Sequence, residues 1–124
     1  MMARRKPDPE DIDSFLPLPA SAMHIIVALA AGERHGYAIM RDIADLSGGS
    51  VKMGPGTLYG SINRMIDQGL VEEADERPDP ALDDERRRYY RLTGLGQRVG
   101  AAERARLAAL LDAAQLRNLG LGTA

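Results

Sequence analysis

The stretch GPGTLYGSINRMIDQGLVEE, residues 54–73, decides the fold. Gly54 suits the N-cap of a helix and Pro55 suits its first position, where the missing N–H of proline costs nothing. Apolar side chains then recur at the helical period, at Leu58, Ile62, Met65 and Ile66. Gly69 follows as a stop signal. The spacing predicts a helix over 55–68 with one face for the core and an opposite face of small and polar residues.

Two more helices are predicted ahead of this stretch. The run MHIIVALAA, residues 23–31, is almost unbroken in apolar residues, and its length favours a buried helix over a strand. GERHG then has the composition of a loop. YAIMRDIADL follows, with apolar residues at helical spacing and the pair Gly48 and Gly49 as a C-terminal stop. The sequence therefore predicts three consecutive helices.

The chain changes character after Gly69. Residues 70–74 and the run RRRYYRLT, residues 86–93, are short and contain β-favouring residues, and the acidic, turn-like DERPDPALDDE separates them. This pattern predicts a β-hairpin. Thr93 is a candidate N-cap for a last helix that runs to about Leu119. A broad apolar stripe follows this helix, at Val99, Ala102, Leu107, Leu110, Leu111 and Ala114. A second copy of the chain is the simplest cover for that surface, so we expect a homodimer.

Three helices, a hairpin and a fourth helix are the plan of a winged helix-turn-helix domain with an appended helix. The predicted fold class is therefore mainly α with a small β-hairpin. We divide the chain into a mobile N-terminal arm at 1–17, a DNA-binding domain at 18–92, and a C-terminal dimerisation helix and tail at 93–124. In this fold the third helix enters the major groove. Candidate DNA contacts on it and around it are Lys52, Thr57, Ser61, Asn63, Arg64, Arg86 and Arg88.

Composition excludes several other classes of protein. The 124 residues include no cysteine, which rules out a disulfide framework and a thiolate metal site, and only two histidines. There is no nucleophile–base pattern and no metal-ligand cluster, so we expect neither an enzyme nor a bound cofactor or metal. No apolar run is long enough to span a membrane and no signal peptide precedes the first helix, so we expect a cytoplasmic protein without a membrane partner.

Charge is distributed unevenly although the formal net charge is −2. Acidic residues concentrate between 72 and 85, whereas the segment 51–70 has two basic residues against one acid. The arginines of RRRYYR then follow. A net-negative chain can therefore present a positive stripe to DNA. The alternative is that the flanking acids neutralise the arginines on a solvent-exposed face. The basic start of the chain, with Arg4, Arg5 and Lys6, is more simply interpreted as a solvated terminus than as a DNA contact.

The runs HGYAIMRDI, GPGTLYGSINRMIDQGLVEE and DDERRRYYRLTGLG resemble the PadR family of winged-helix repressors, over roughly residues 18–111. The single terminal helix is similar to the shorter PadR subfamily. The resemblance implies a homodimer joined through that helix with help from the first, a recognition helix at 55–68, a wing at 70–92 and a palindromic operator. By position it places Thr57, Tyr59, Ser61, Asn63 and Arg64 in or near the DNA surface. It further implies release from DNA by a small-molecule effector.

Two departures and two alternatives accompany this resemblance. Some members hold flat aromatic drugs between tryptophans, and this chain has no tryptophan. The acidic wing tip is unsuited to phosphate, so we expect it to lie away from DNA.

Tyr59 is equally well interpreted as a half-buried packing residue. We predict a sequence-specific, homodimeric repressor that acts on double-stranded operator DNA, with an effector at the dimer interface. The alternative is a winged-helix module that binds protein without sequence-specific DNA binding.

Overall fold

The computed structural model describes residues 6–74 and 88–120. Within them a short 3-10 helix precedes four α-helices and three short strands. Their bounds are 3-10 helix Ile12–Phe15, α1 Ala20–Ala30, β1 Arg34–His35, α2 Gly36–Leu46, α3 Pro55–Asp67, β2 Val71–Ala74, β3 Tyr89–Leu92 and α4 Gly94–Leu116. This is the predicted class, mainly α with a small antiparallel sheet, a winged helix-turn-helix and a long terminal helix.

The first α-helix lies at the centre of the core. It packs against α2, α3, α4 and β3, which explains why its sequence is apolar almost all round. Ile25 is fully buried at this centre, and Ile39 of α2 and Ile62 of α3 meet the same core from their own helices. Burying each such side chain contributes about 1.5–3 kcal/mol. These contacts fix α2 and α3 against α1 and so orient the outer face of α3.

The sheet has the strand order β1-β3-β2, with both pairs antiparallel. β2 pairs with β3 in the register Val71 opposite Leu92 and Ala74 opposite Tyr89, which confirms the predicted hairpin strands. The strand β1 corrects the prediction that GERHG is a loop. A strand of two residues has no periodicity by which the sequence could predict it. β1 is defined by its pairing with β3, in which Arg34 lies opposite Tyr90 and His35 opposite Tyr89. The segment between the hairpin strands, residues 75–87, lies outside the described residues.

Local sequence signals set the ends of two helices as predicted. Gly54 is the N-cap of α3, with Pro55 at its first position. Thr93 is the N-cap of α4, where its hydroxyl oxygen accepts a hydrogen bond from the Gly96 N–H at 3.0 Å and donates one to the Gly69 carbonyl at 2.5 Å. The Thr93 side chain therefore caps the start of α4 and bonds it to the turn that follows α3.

The boundary of the N-terminal arm differs from the expected one. The 3-10 helix lies inside the segment 1–17 and packs against α4. Phe15 is only 2% exposed and belongs to the core. The Leu18 N–H just beyond donates a hydrogen bond to Glu103 of α4. The prediction of an arm that reaches residue 17 is therefore wrong from Ile12 onward, because an aromatic side chain in this segment fills the core beside α4.

Candidate nucleic-acid interface

The start of α3 is built for close approach by another molecule. A Cβ atom added at Gly54 or at Gly56 would meet no other atom within 4 Å, so this end of the helix is sterically open. No described side chain caps it. The first N–H groups of a helix and its dipole attract anions. The open end of α3 is therefore chemically suited to a phosphate group.

Four of the predicted DNA-contacting side chains lie on the surface of this region. Thr57, Asn63 and Arg64 are exposed along α3, and Lys52 is exposed just ahead of it. At about 100° per residue the three helical positions fall within one arc opposite the buried Leu58 and Ile62. The face carries a hydroxyl, an amide and a guanidinium group, which are the donors and acceptors that reach base edges and phosphates.

Ser61 does not lie on this exposed face. It is 3% exposed, and its hydroxyl oxygen accepts a hydrogen bond from Arg64 Nη2 at 3.2 Å. The predicted placement of Ser61 at the DNA surface is therefore wrong. The helical period puts this side chain on the boundary of the exposed arc, beside a cleft that Phe15 and Leu18 also line. In the structure Ser61 holds Arg64 in place instead of facing outward.

Tyr59 is half-buried between α2 and α3. Its ring lies directly over Gly36, where an added Cβ would fall 2.6 Å from Cζ and would overlap the hydroxyl oxygen. This contact supports the packing interpretation of Tyr59 over the base-reading one. Gly36 is the first residue of α2, so the close approach fixes the spacing between the two helices of the helix-turn-helix.

The wing arginines differ in how strongly other residues hold them. Arg88 is exposed and lies 3.7 Å from Glu73, a loose surface pair of little energetic weight. Arg91 is held by Glu72 at 2.8 Å and by Glu33 at 3.1 Å, and the hydrogen bond to Glu72 is the main cause that raises the pKa of Arg91. Arg91 thus ties β3 to its neighbours, while Arg88 can exchange its partner for a phosphate. Arg86 lies outside the described residues.

The stripe on α4 divides between the core and the surface. Val99 is fully buried inside its own chain. Its predicted place on a dimer surface is therefore wrong. Ala102, Leu107 and Ala114 are half-buried. Leu110 and Leu111 are 59% and 69% exposed, which is unusual for adjacent leucines on a small domain. The distal half of α4 therefore presents an uncovered apolar strip.

An open groove of about 450 Å³ runs between α1 and the first half of α4. Its walls are mainly apolar, with one cation. They include Met23, Val27, Ala30, Gly100, Ala101 and Arg104. The groove adjoins the uncovered strip of α4, so one helix of a partner molecule could cover both.

Two other kinds of site are absent from the described residues. Across residues 6–74 and 88–120 no helix combines the length and apolar character that a bilayer crossing requires. The same residues contain no cluster of histidine and carboxylate side chains able to hold a metal ion.

Comparison with solved structures places the fold among transcriptional regulators. A regulator from Clostridium thermocellum superposes with a TM-score of 0.63 at 20% identity, over 77% of this chain and 86% of that one. A PadR family regulator from Clostridium difficile gives 0.63 at 19% identity, over 79% and 97%. RosR from H. salinarum gives 0.58 at 28% identity, over 79% and 78%. The fold therefore matches solved regulators over most of its length.

Sequence comparison gives the same grouping. An uncharacterized 37.1 kDa protein of a Streptomyces fradiae transposon is 36% identical over 77 residues, which are 62% of this chain and 20% of that protein. The chain thus spans a fifth of the length of this curated relative. Residues 25–102 match the transcriptional regulator PadR-like family, and this range contains α2, α3, the wing strands and the start of α4. The chain therefore belongs to the PadR-like family of transcriptional regulators, which are not enzymes.

Proposed function

We propose that this regulator is a sequence-specific repressor that binds a pseudo-palindromic operator as a homodimer. The observation that carries the proposal is the outer face of α3, with its open glycine start and its exposed Thr57, Asn63 and Arg64. In a helix-turn-helix the N-terminal part of this helix reads base edges in the major groove. Asn63 offers an amide for adenine, and Arg64 a guanidinium for guanine or phosphate.

The wing and the residues before α3 supply the contacts to the DNA backbone. Lys52 and Arg88 are exposed cations on either side of the recognition helix in sequence, and they would neutralise phosphates without reading bases. Arg86, two residues before Arg88 in the sequence, is proposed as a further phosphate contact. Such contacts set orientation on the duplex and make binding weaken as salt rises.

A second copy of this chain is the proposed cover for the distal half of α4. Leu110 and Leu111 extend an apolar strip that adjoins the groove between α1 and α4. Pairing of α4 with its copy would bury both surfaces. Two recognition helices joined in this way would meet half-sites about 34 Å apart, one turn of DNA. The place of action is then the cytoplasm, where the operator is accessible.

The groove between α1 and α4 is the proposed place for a small-molecule effector. Its apolar walls suit an apolar molecule, and Arg104 at its edge suits one that also carries a negative charge. An effector releases DNA only if it binds better to a dimer whose half-site spacing does not fit the operator. The adaptable side chain of Met23 lines the same groove.

A fluorescence-anisotropy titration tests the proposal. The duplex is the promoter region of the gene for this protein, and a random duplex is the control, each at low and moderate salt. We expect tighter binding to the promoter and weakening with salt on both duplexes. Arg64→Ala should weaken promoter binding by about 1–3 kcal/mol. Arg98→Ala, which removes an exposed cation near the start of α4 and away from the apolar stripe, should leave it unchanged.

Two results would contradict the proposal. Equal affinity for both duplexes would remove sequence-specific reading and favour the winged-helix protein-interaction module. Wild-type affinity in Arg64→Ala would show that this face of α3 does not meet the promoter.

A further inference from the structure

We infer that the cleft between the N-terminal segment and α3 is a binding site for a phosphate group of the DNA backbone. The cleft has a volume of about 230 Å³ and lies on the flank of α3 that carries Ser61. Lys6 and Arg64 both line it, and so do the hydroxyl-bearing Ser61 and the amide-bearing Gln68. The inference rests on the proposed function, because it adds a contact to the same protein–DNA surface.

The chemistry of the cleft favours an anion. None of the described residues that line it is acidic, whereas two carry a positive charge. Phe15 and Met65 form an apolar floor, which lowers the local dielectric and strengthens the attraction between a cation and a phosphate. A guanidinium group, an ammonium group and an amide N–H are the donors that hold phosphates in proteins. The lining is therefore complementary to a phosphate diester.

The geometry of Arg64 supports the same conclusion. One of its five N–H donors is used in the hydrogen bond to Ser61, and both residues line the cleft. Arg64 is also exposed on the outer face of α3, so its side chain lies where the cleft meets the proposed groove-facing surface. A DNA strand at the edge of the major groove would pass this position. This adjacency favours a backbone phosphate over free phosphate as the natural ligand.

The N-terminal segment is held by hydrogen bonds from Asp8 onward, two residues after Lys6. The Asp8 N–H donates to Ser14 Oγ at 2.7 Å, and that hydroxyl donates in turn to the Asp11 carbonyl at 2.6 Å. The Asp8 carboxylate accepts from the Glu10 N–H at 2.9 Å. The turn that follows Pro7 is thus closed by its own side chains. Phe15 in the core and the Leu18 N–H bonded to Glu103 then anchor the rest of the segment.

Salt dependence of DNA binding by Lys6→Gln measures this contact. Each phosphate neutralised by a cation contributes about 0.9 to the slope of log K against log salt. Lys6→Gln should therefore lower that slope by about one unit and weaken binding roughly five- to tenfold at about 0.1 M salt. The loss should be the same for promoter and random duplexes, because a phosphate contact carries no sequence information. Lys6→Arg should keep the slope, and Arg98→Gln should keep both slope and affinity.

Several outcomes would overturn the inference. A Lys6→Gln slope equal to the wild-type slope would show that no phosphate is bound through Lys6. A loss confined to the promoter duplex would indicate base reading instead. If inorganic phosphate at constant ionic strength binds the wild type but not Lys6→Gln, and leaves DNA affinity unchanged, the cleft takes free phosphate rather than the backbone. Failure of the wild type itself to bind any duplex would instead overturn the proposed function.

Discussion

Glu103 is a buried carboxylate in the middle of α4. It is 2% exposed and accepts hydrogen bonds from the Leu18 N–H at 2.9 Å and from two nitrogens of Arg106 at 2.5 and 3.1 Å. A buried charge is tolerated only with such partners. The hydrogen bond from Arg106 is the main cause that lowers the pKa of Glu103, and the Leu18 N–H lowers it further against the opposing effect of burial. One side chain thus joins the N-terminal segment to the last helix.

Glu103→Gln should destabilise the fold in a pH-dependent way. At about pH 7 we expect the free energy of unfolding to fall by about 1–3 kcal/mol, because the amide cannot accept all three hydrogen bonds. A carboxyl whose pKa is lowered in the folded state stabilises the protein above its ordinary pKa of 4.5 and loses that contribution as the pH falls further. The difference between wild type and variant should therefore shrink at about pH 3.5. Urea denaturation at both pH values measures it.

Glu73→Gln is the matched control, because Glu73 is exposed and lies 3.7 Å from Arg88. We expect it to change stability by less than about 0.5 kcal/mol at either pH. A Glu103→Gln deficit that stays constant with pH would contradict the assignment of the stabilisation to the ionised carboxylate.

The start of α4 lies in close contact with the end of the turn after α3. A Cβ on Gly96 would overlap the Leu70 carbonyl oxygen and would fall 3.3 Å from Leu92 Cδ2. The carbonyl belongs to the backbone, so it cannot move aside by a rotamer change. Gly100, one turn later, leaves only 2.7 Å between such a Cβ and Ile26 Cγ2 of α1. These two positions set how closely α4 approaches the domain.

Gly96→Ala should therefore destabilise the protein by about 1–3 kcal/mol, or more if the backbone cannot adjust. The transition midpoint in chemical denaturation measures the loss. Gly60→Ala is the matched control within a helix, since its Cβ would meet only Arg64 Nη1, at 3.9 Å. Helix propensity predicts that it is neutral or stabilises by up to about 1 kcal/mol. Equal midpoints for the two variants would contradict the close contact at Gly96.

At the scale of the whole molecule, the question is what covers α4. Leu110→Asp places a charge in the centre of the exposed strip, so we expect monomers and, with them, loss of promoter binding. Sedimentation velocity measures the mass, and anisotropy measures the binding. Ala105→Asp adds the same charge on the opposite face of the same helix, where it is exposed, and should leave a dimer. A dimer that survives Leu110→Asp would place the interface elsewhere.

The residues that sequence reasoning placed correctly are those fixed by neighbours in the chain. The N-caps Gly54 and Thr93 and the apolar period of α3 depend on spacing alone. Ser61 was misplaced because its burial depends on how α3 packs in the folded domain, for which no pattern in α3 is a signal. Lys6 was set aside for the same reason, although it lines the cleft beside Arg64.

The apolar stripe on α4 shows a second limit of prediction from sequence. Period and apolarity identify a face that must be covered, but they do not say by which chain. Val99 is covered by its own domain, whereas Leu110 is not. Glu103 interrupts this face, and a carboxylate inside an apolar stripe with an arginine three residues later was the one local signal of its buried bond.

The close contacts at Gly96 and Gly100 hold α4 near one end, so a small change of angle there moves its other end far. α4 has 23 residues and is therefore about 35 Å long, and both contacts lie in its first two turns. A tilt of about 10° at this end would carry the far end through roughly 6 Å. In a dimer joined through the far half of α4, such a tilt changes the distance between the two recognition helices. In such a dimer, the absence of side chains at Gly96 and Gly100 would help to set the operator spacing that the protein can span.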